Sequence, residues 1–308
     1  MQLDPHFADI SMGKIQIPCK SIRPNEQFAM QNATVKNYCE VYQKNMGTFW
    51  KHYCASIPFI FEEQCRVGVA LLRMAQLLPD NQYLKFYETS SEDGTDARTL
   101  AEVANGRIIT LTDGLHLANK NNFESLCHHS FSYFYLGHFC EVTPQSIHLS
   151  PQFSLFKEGF DVVYENATFQ FYDKNRIEQI AHVRQLMKDE GILICLEKLA
   201  QHNSVEYEYR ERMKDEEYKT LYFSSEELEW KRLNILSTMK YQVDYETLVA
   251  SLKKHFNFVY LLWNSTNFYE IAASNSLSNI QNFLSFLPNP FLPKEFCFEG
   301  DLSKPRKI

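Results

Sequence analysis

Apolar positions recur with two periodicities along the chain, that of a helix and that of a strand. These periodicities predict the secondary-structure elements of its first half. Residues 60–78 repeat apolar side chains at spacings of three and four, which predicts an amphipathic helix. Residues 83–87 form an aromatic, strand-favouring run that breaks at Glu88 into a polar loop reaching Gly94. A second helix follows, with Asp96 as its expected N-cap. A strand that opens directly into a helix leaves free backbone N–H groups at the sheet edge, where ligands bind.

The same alternation continues to about residue 275. Apolar or β-branched runs predict six more strands, at residues 107–112, 133–136, 160–164, 192–197, 258–263 and 268–274. A helix capped by Asn175 and closed by Gly191 is expected between the fourth and fifth strands. Only four residues separate the last two runs, so those strands must pair antiparallel. The predicted fold class is therefore α/β, with a seven-stranded, mostly parallel, doubly wound sheet and one antiparallel strand.

Changes in residue character divide the chain into three predicted parts. Residues 1–79 are expected to form an irregular arm followed by capping helices, and residues 80–275 the core. Within the core, residues 199–243 become charged and then amphipathic, which indicates a helical insertion that can serve as a lid. The tail, residues 276–308, contains Pro288, Pro290 and Pro293 and is expected to be a surface helix followed by an irregular segment.

Charge and composition narrow the classes of partner. The chain has 308 residues with 31 Lys+Arg against 38 Asp+Glu, and its longest basic cluster is the terminal KPRKI, which argues against a nucleic-acid partner. No run of about 18 apolar residues suggests a membrane span, and the first residues lack the layout of a signal peptide. The eight cysteines form no CxxC pair. We therefore expect a soluble, cytoplasmic protein without structural zinc.

The order of the elements, together with residues at the strand ends, resembles the class I S-adenosylmethionine-dependent methyltransferases over roughly residues 80–275. Glu88 takes the place of the acid that ends the first strand in that Rossmann-like family, and Ser90, Glu92 and Gly94 stand where three glycines are common. Asp113, at the tip of the second strand, matches the acid that holds the ribose hydroxyls of the cofactor. The resemblance implies S-adenosylmethionine as cofactor, bound by Glu88, Ser90, Glu92, Gly94, Thr95, Asp113, Gly114, His138 and Phe139.

The segment FDVVYENATFQF resembles the part of the family that runs past the transferred methyl group. Glu165 and Asn166 are therefore the candidate catalytic residues. The candidate substrate contacts are Thr168, Phe169, Tyr222, Asn264 and Asn267. The implied chemistry is direct displacement on the methyl group, in which the enzyme mainly holds the reactants together. A base is needed only if the acceptor must lose a proton, and its candidates are Glu165, His128, His129 and His138.

The predicted function is methyl transfer to a small-molecule or carrier-bound acyl acceptor in an enclosed pocket. No metal site is predicted, although a metal-assisted methyltransferase using the three histidines with Asp113 and Glu141 stays an alternative. Because Ser90 and Glu92 replace glycines, a binding or regulatory protein that keeps the fold without catalysis is another. Single residues also have structural alternatives. Asp113 can belong to a plain turn, Glu165 and Asn166 to a solvent-facing strand end, and Asn264 and Asn267 to a hairpin turn.

Overall fold

A mostly parallel β-sheet is the centre of the computed structural model, which describes residues 9–15, 18, 20–235 and 239–308. The start of the predicted arm and three residues of the predicted insertion lie outside the described residues. The strands are β1 (Leu84–Thr89), β2 (Ile108–Gly114), β3 (Ser132–Leu136), β4 (Phe160–Asn166), β5 (Met187–Lys198), β6 (Phe258–Ser265), β7 (Phe268–Ser274) and β8 (Arg306–Lys307).

The strand order across the sheet is β3-β2-β1-β4-β5-β7-β6-β8. Strands β1 to β5 pair in parallel, and β7 runs antiparallel between β5 and β6. This confirms the predicted doubly wound α/β fold and its antiparallel hairpin. The chain leaves β1 on one side toward β2 and returns on the other side at β4, so the strand order reverses between β1 and β4. In such sheets this reversal is the usual place for a ligand.

The tail differs from its prediction at its end. Residues Arg306–Lys307 pair antiparallel with β6, which adds an eighth strand and a second antiparallel one to the expected seven-stranded sheet. The helix Leu277–Phe286 lies where a surface helix is expected: it packs against the helix Ile60–Gln76 and buries Ile280 and Phe283, while Leu277 is exposed. Apolar positions in a short proline-rich segment show no period that could have indicated the strand pairing.

Helices cover both faces of the sheet. Their bounds are Glu26–Ala29, Ala33–Asn45, Thr48–Cys54, Ile60–Gln76, Thr95–Val103, Leu117–Leu126, Pro144–Leu149, Arg176–Arg184, Ser204–Met213, Ser225–Asn234, Tyr245–His255 and Leu277–Phe286. Neighbouring residues of a strand point to opposite faces, so Phe86 joins the core beneath the amino-terminal helices while Tyr87 joins the core on the other face. No helix in the described part of the chain is both long and apolar enough to cross a membrane.

Two predicted helix ends were wrong. The helix after β1 begins at Thr95, with Gly94 at φ +68° as its N-cap, so Asp96 lies in the first turn rather than at the cap. The helix before β5 ends at Arg184, and Gly191 lies within β5 instead of closing that helix. A Cβ atom on Gly191 would lie 3.1 Å from the carbonyl oxygen of Phe160, so this glycine permits the close approach of β4 and β5 at a register shift.

Candidate active site

A pocket opens at the carboxyl ends of β1 and β4, where the strand order reverses. The loop after β1 contributes Ser90 and Glu92 to its wall, and the turn after β4 contributes Asn166 and Thr168. The amino-terminal helices add aromatic side chains, and the insertion adds lysines and apolar residues. The pocket is therefore built jointly by the sheet edge, the capping helices and the insertion. Of the predicted site residues, these four from the two loops line it.

The loop after β1 has an alternating left-handed backbone. Ser90, Glu92 and Gly94 have φ values of +47°, +56° and +68°. Only glycine adopts this region without cost, and other residues lose about 1–2 kcal/mol each. A Cβ atom on Gly94 would lie 2.8 Å from the ring of Phe123, so that position also requires glycine for space. The loop thus keeps the conformation of a glycine-rich loop although two of its three key positions carry side chains.

Asp113 holds this loop from the tip of β2. Its Oδ1 accepts hydrogen bonds from the hydroxyl of Tyr87 (2.7 Å) and the backbone N–H of Ser90 (2.9 Å), and its Oδ2 accepts one from the Ser90 hydroxyl (3.2 Å). Burial raises the pKa of Asp113 to about 7. Asp113 is fully buried and is not part of the pocket wall, but Oδ2 has one donor and keeps capacity for another. Gly114 beside it packs close to Phe134.

Glu92 is the residue that most clearly departs from a glycine loop. Its carboxyl group accepts a hydrogen bond from the side-chain amide of Asn119. Burial, followed by the charge of Asp93, raises the pKa of Glu92 to about 8. The carboxyl group is therefore mostly protonated at neutral pH, and the side chain brings little negative charge to the pocket.

Several buried carboxyl groups make the stability of the fold depend on pH. Burial raises the pKa of Glu62, Asp96 and Asp113 to about 7 and is the largest cause of the raised pKa of Glu92. Between about pH 4 and pH 8 the unfolded chain loses these protons before the folded chain does, so the free energy of unfolding falls as the pH rises. We expect the thermal midpoint to be at least about 3 °C higher at pH 5.5 than at pH 8.

The variant Glu92→Gln tests the contribution of one group. Glutamine resembles the protonated acid but cannot ionise, so the fall in thermal midpoint between pH 5.5 and pH 8 should be smaller than in the parent protein. Glu190→Gln, at an exposed position, is the control and should leave the profile unchanged. A parent protein equally stable at both pH values would contradict the assignment of these raised pKa values.

A hydrogen-bonded chain leads from the pocket into the sheet. The hydroxyl of Tyr53 donates to Asn166 Oδ1 (2.8 Å), and Asn166 Nδ2 donates to Glu88 Oε1 (3.0 Å). The Glu88 carboxyl group is buried, and a second acid, Asp96, lies within hydrogen-bond reach of it. Burial, followed by the charge of Asp96, raises the pKa of Glu88 well above its ordinary value. The side chain is thus an acceptor that a cationic group reaching this depth would satisfy.

Glu165, a candidate base, accepts hydrogen bonds from the backbone of the turn that follows it. Its Oε1 accepts hydrogen bonds from the N–H groups of Thr168 (2.5 Å) and Phe169 (2.9 Å). Burial, followed by the charge of Glu197, raises its pKa well above the ordinary value. It is not part of the pocket wall, and because it is fully buried it is not a solvent-facing strand end either. Its contacts give it a structural role instead, since they shape the turn that presents Asn166 and Thr168.

The other predicted residues lie around this site in supporting positions. Thr95 accepts a hydrogen bond from the backbone N–H of Gly47 (3.2 Å), and His138 Nδ1 lies 3.3 Å from the hydroxyl of Tyr172, a residue of the pocket wall. Phe139 packs edge-on against Tyr172, with 4.7 Å between ring centroids, and Phe169 packs beneath Phe139. Their predicted cofactor and substrate contacts stay predictions.

Three predicted substrate contacts, Asn264, Asn267 and Tyr222, do not line the pocket and interact with other parts of the protein. Asn264 donates to the carbonyl oxygens of Thr266 and Phe268, which favours the hairpin-turn alternative. Asn267 donates to Glu211 Oε1 (2.9 Å) and ties the hairpin to the insertion. Tyr222 packs against Tyr218 and is not part of the pocket wall.

Two groups of wall residues were not predicted from the sequence. The aromatic cluster at residues 48–54 was visible in the sequence, but nothing placed Trp50 and Tyr53 in the pocket. Lys214 and Lys219 lie in a charged stretch that is typical of a solvated helix, and Lys231 lies in the amphipathic helix after it. No local signal distinguishes a lysine that faces a pocket from one that faces solvent.

The histidines considered for a metal make other contacts. His129 Nε2 lies 3.0 Å from the carbonyl oxygen of Arg98, and His138 contacts Tyr172. Within residues 9–15, 18, 20–235 and 239–308, the one trio whose ligand atoms converge is His202, Asp244 and Glu246, outside the pocket.

No protein-family model and no curated protein matches the sequence. Solved structures resemble the fold coarsely. The plantazolicin methyltransferase BpumL in complex with SAH is 9% identical, with a TM-score of 0.48 over 81% of this chain and 93% of its own. The CurJ carbon methyltransferase is 13% identical, with a TM-score of 0.45 over 90% of this chain and 72% of its own.

An O-methyltransferase family protein from Burkholderia thailandensis is 10% identical, with a TM-score of 0.43 over 70% of this chain. This chain spans 59% of the length of that protein. With identities this low, the chemistry of the pocket follows from its own residues alone.

Proposed function

We propose that the chain is an S-adenosylmethionine-dependent methyltransferase that acts on a small molecule or a carrier-bound acyl group in this pocket. The observation that carries the proposal is the loop after β1. It has left-handed residues at Ser90, Glu92 and Gly94, is held by Asp113 from the next strand, and opens into a pocket at the reversal of strand order.

The donors and acceptors of the site fit the cofactor. S-adenosylmethionine supplies an electrophilic methyl group when it is bound. Glu88, buried beside the second acid Asp96, suits its ammonium group, because a cation there would favour the ionised form of Glu88. Asp113 Oδ2 suits a ribose hydroxyl once the Ser90 hydroxyl turns away from it. Glu92, mostly protonated, adds no unpaired negative charge against the carboxylate of the cofactor.

The remaining walls suit the acceptor. Aromatic side chains of the amino-terminal helices and of the turn after β4 form an apolar lining, and residues of the insertion complete it. In this proposal the insertion is the lid. The chain needs no nucleophile of its own, because its contribution is to hold acceptor and methyl group at near-attack distance in a site from which water is excluded.

Calorimetric titration with S-adenosylhomocysteine tests the proposal. We expect saturable, one-to-one binding, and a crystal soaked with the same compound should place it against the loop of Ser90 and Gly94. Absence of binding at millimolar concentration would reject the proposal and favour a protein that keeps the fold without the cofactor.

A further inference from the structure

Three lysines of the insertion are buried on one wall of the pocket. Lys214, Lys219 and Lys231 have relative exposures of 1%, 3% and 4%. Lysine is almost never fully buried unless its ammonium group is paired. Their convergence on a single cavity therefore calls either for compensating negative charge or for loss of a proton.

The protein supplies only part of that charge. Lys214 pairs with Glu211 (2.6 Å), which it shares with Lys198 (2.7 Å). Lys219 pairs with Asp215 (2.7 Å), which also lies 3.5 Å from Arg232. Each of the two carboxylates thus already lies close to two cationic side chains.

Lys231 has the weakest compensation of the three. Its Nζ donates to the Ser56 hydroxyl (2.5 Å) and lies 3.7 Å from the centroid of the Phe223 ring, but it forms no ion pair with a carboxylate of the described residues. Glu227, which borders a second cavity beside Lys231, accepts a hydrogen bond from the backbone of Ser224 instead.

The charges around these lysines oppose their ionisation. Burial, followed by Lys214, lowers the pKa of Lys219 to about 8. Burial, followed by Lys219 and Lys214, lowers the pKa of Lys231 well below its ordinary value, although Asp215 and Glu227 act in the opposite direction. Burial and the nearby lysines also lower the pKa of His52, which lies on the same wall. A bound anion would favour the ammonium forms.

The other wall residues indicate which kind of ligand fits the cavity apart from its charged group. Phe49, Trp50, Tyr53, Phe171 and Phe268 surround the cavity with aromatic surface. We propose that the lysine wall of Lys214, Lys219 and Lys231 binds the anionic group of a small aromatic acid, and that this acid is the methyl acceptor. The assignment as acceptor rests on the proposed function, whereas the anion site does not.

Calorimetry with a matched pair of probes tests the anion site. 1-Naphthoate and 1-naphthamide have nearly the same shape and differ in charge. We expect the parent protein to bind naphthoate at least about tenfold more tightly, since a hydrogen bond to a charged group is stronger than one to a neutral amide. Equal affinity for the two probes would overturn the inference without any variant.

Variants locate the site. Lys231→Met should lose at least about tenfold in naphthoate affinity with no change for naphthamide, whereas Lys231→Arg should keep most of the preference. Lys51→Met removes an exposed lysine from the helix that bears Trp50 and Tyr53, and should change neither affinity. An unchanged naphthoate affinity in folded Lys231→Met, checked by its thermal midpoint, would reject this wall as the anion site.

A parallel titration with S-adenosylhomocysteine separates the two proposals. We expect Lys231→Met to bind this compound as the parent protein does. Naphthoate binding without S-adenosylhomocysteine binding would reject the methyltransferase and keep the anion site. The reverse result would keep the methyltransferase and reject the acidic acceptor.

Discussion

Replacing Arg176 with methionine is expected to lower the free energy of unfolding by about 3–5 kcal/mol, because it leaves a buried carboxylate without its cation. The Nε of Arg176 donates to both oxygens of Glu197, at 2.9 and 2.8 Å, and both side chains are fully buried. The guanidinium also donates to Gln179 Oε1 and to the carbonyl oxygen of Tyr241. Glu165 lies close enough to Glu197 for the two charges to repel. Methionine would leave both acids without their cation.

Urea unfolding of Arg176→Met measures this loss. Arg184→Met is the matched control, since it removes an arginine from the same helix, and its partner Asp189 is fully exposed. Exposed ion pairs contribute about 0–1 kcal/mol. The guanidinium of Arg184 also donates to the carbonyl oxygens of Met187 and Lys188 (3.3 Å each), so the control should lose some stability but clearly less than Arg176→Met. If the two variants lost the same stability, the buried pair would contribute no more to folding than the exposed one.

Replacing Glu88 with glutamine is expected to weaken binding of S-adenosylhomocysteine by about 10–100-fold at pH 8, as the charged partner of its ammonium group is lost. In the ligand-free protein, burial and Asp96 keep the pKa of Glu88 well above its ordinary value. A bound ammonium group stabilises the ionised form, so binding should release a proton and the affinity should rise with pH. Glutamine should abolish that proton release.

Calorimetry in two buffers of different ionisation enthalpy measures both effects. Glu158→Gln is the control, because Glu158 is exposed and pairs with Lys85 near the start of the same strand. It should keep both the affinity and the proton release. A Glu88→Gln protein that binds as tightly as the parent protein, with the same release, would show that the ammonium group lies elsewhere.

Much of the architecture could be predicted because local patterns carry it. The seven main strands, the long helix before β1 and the antiparallel hairpin each have a period or a short connection that one segment displays by itself. The errors fall where the deciding contact is distant. Gly191 resembles a helix end until β4 is placed beside it, and the tail strand exists only because β6 offers a free edge.

The candidate site was predictable to a smaller extent. Ser90, Glu92 and Gly94 were identified as the loop positions, and all three are left-handed. Glu165 and Asn264 are polar residues at strand ends, where site residues are expected. Their side chains nevertheless form hydrogen bonds with neighbouring backbone groups. Residue type and strand position do not reveal which way a side chain points.

By itself, the sequence determined the order of strands and helices and the positions of the polar loop ends, since these follow from periodicity and turn chemistry within short segments. Only the tertiary structure decided the conformation, the contacts and the protonation state of the loop after β1. It showed that Ser90 and Glu92 keep a left-handed backbone, that Asp113 holds the loop, and that burial leaves Glu92 mostly protonated. It also joined Lys231 to Ser56, 175 positions away in the chain. Burial and charge pairing depend on such distant neighbours, and no local pattern contains them.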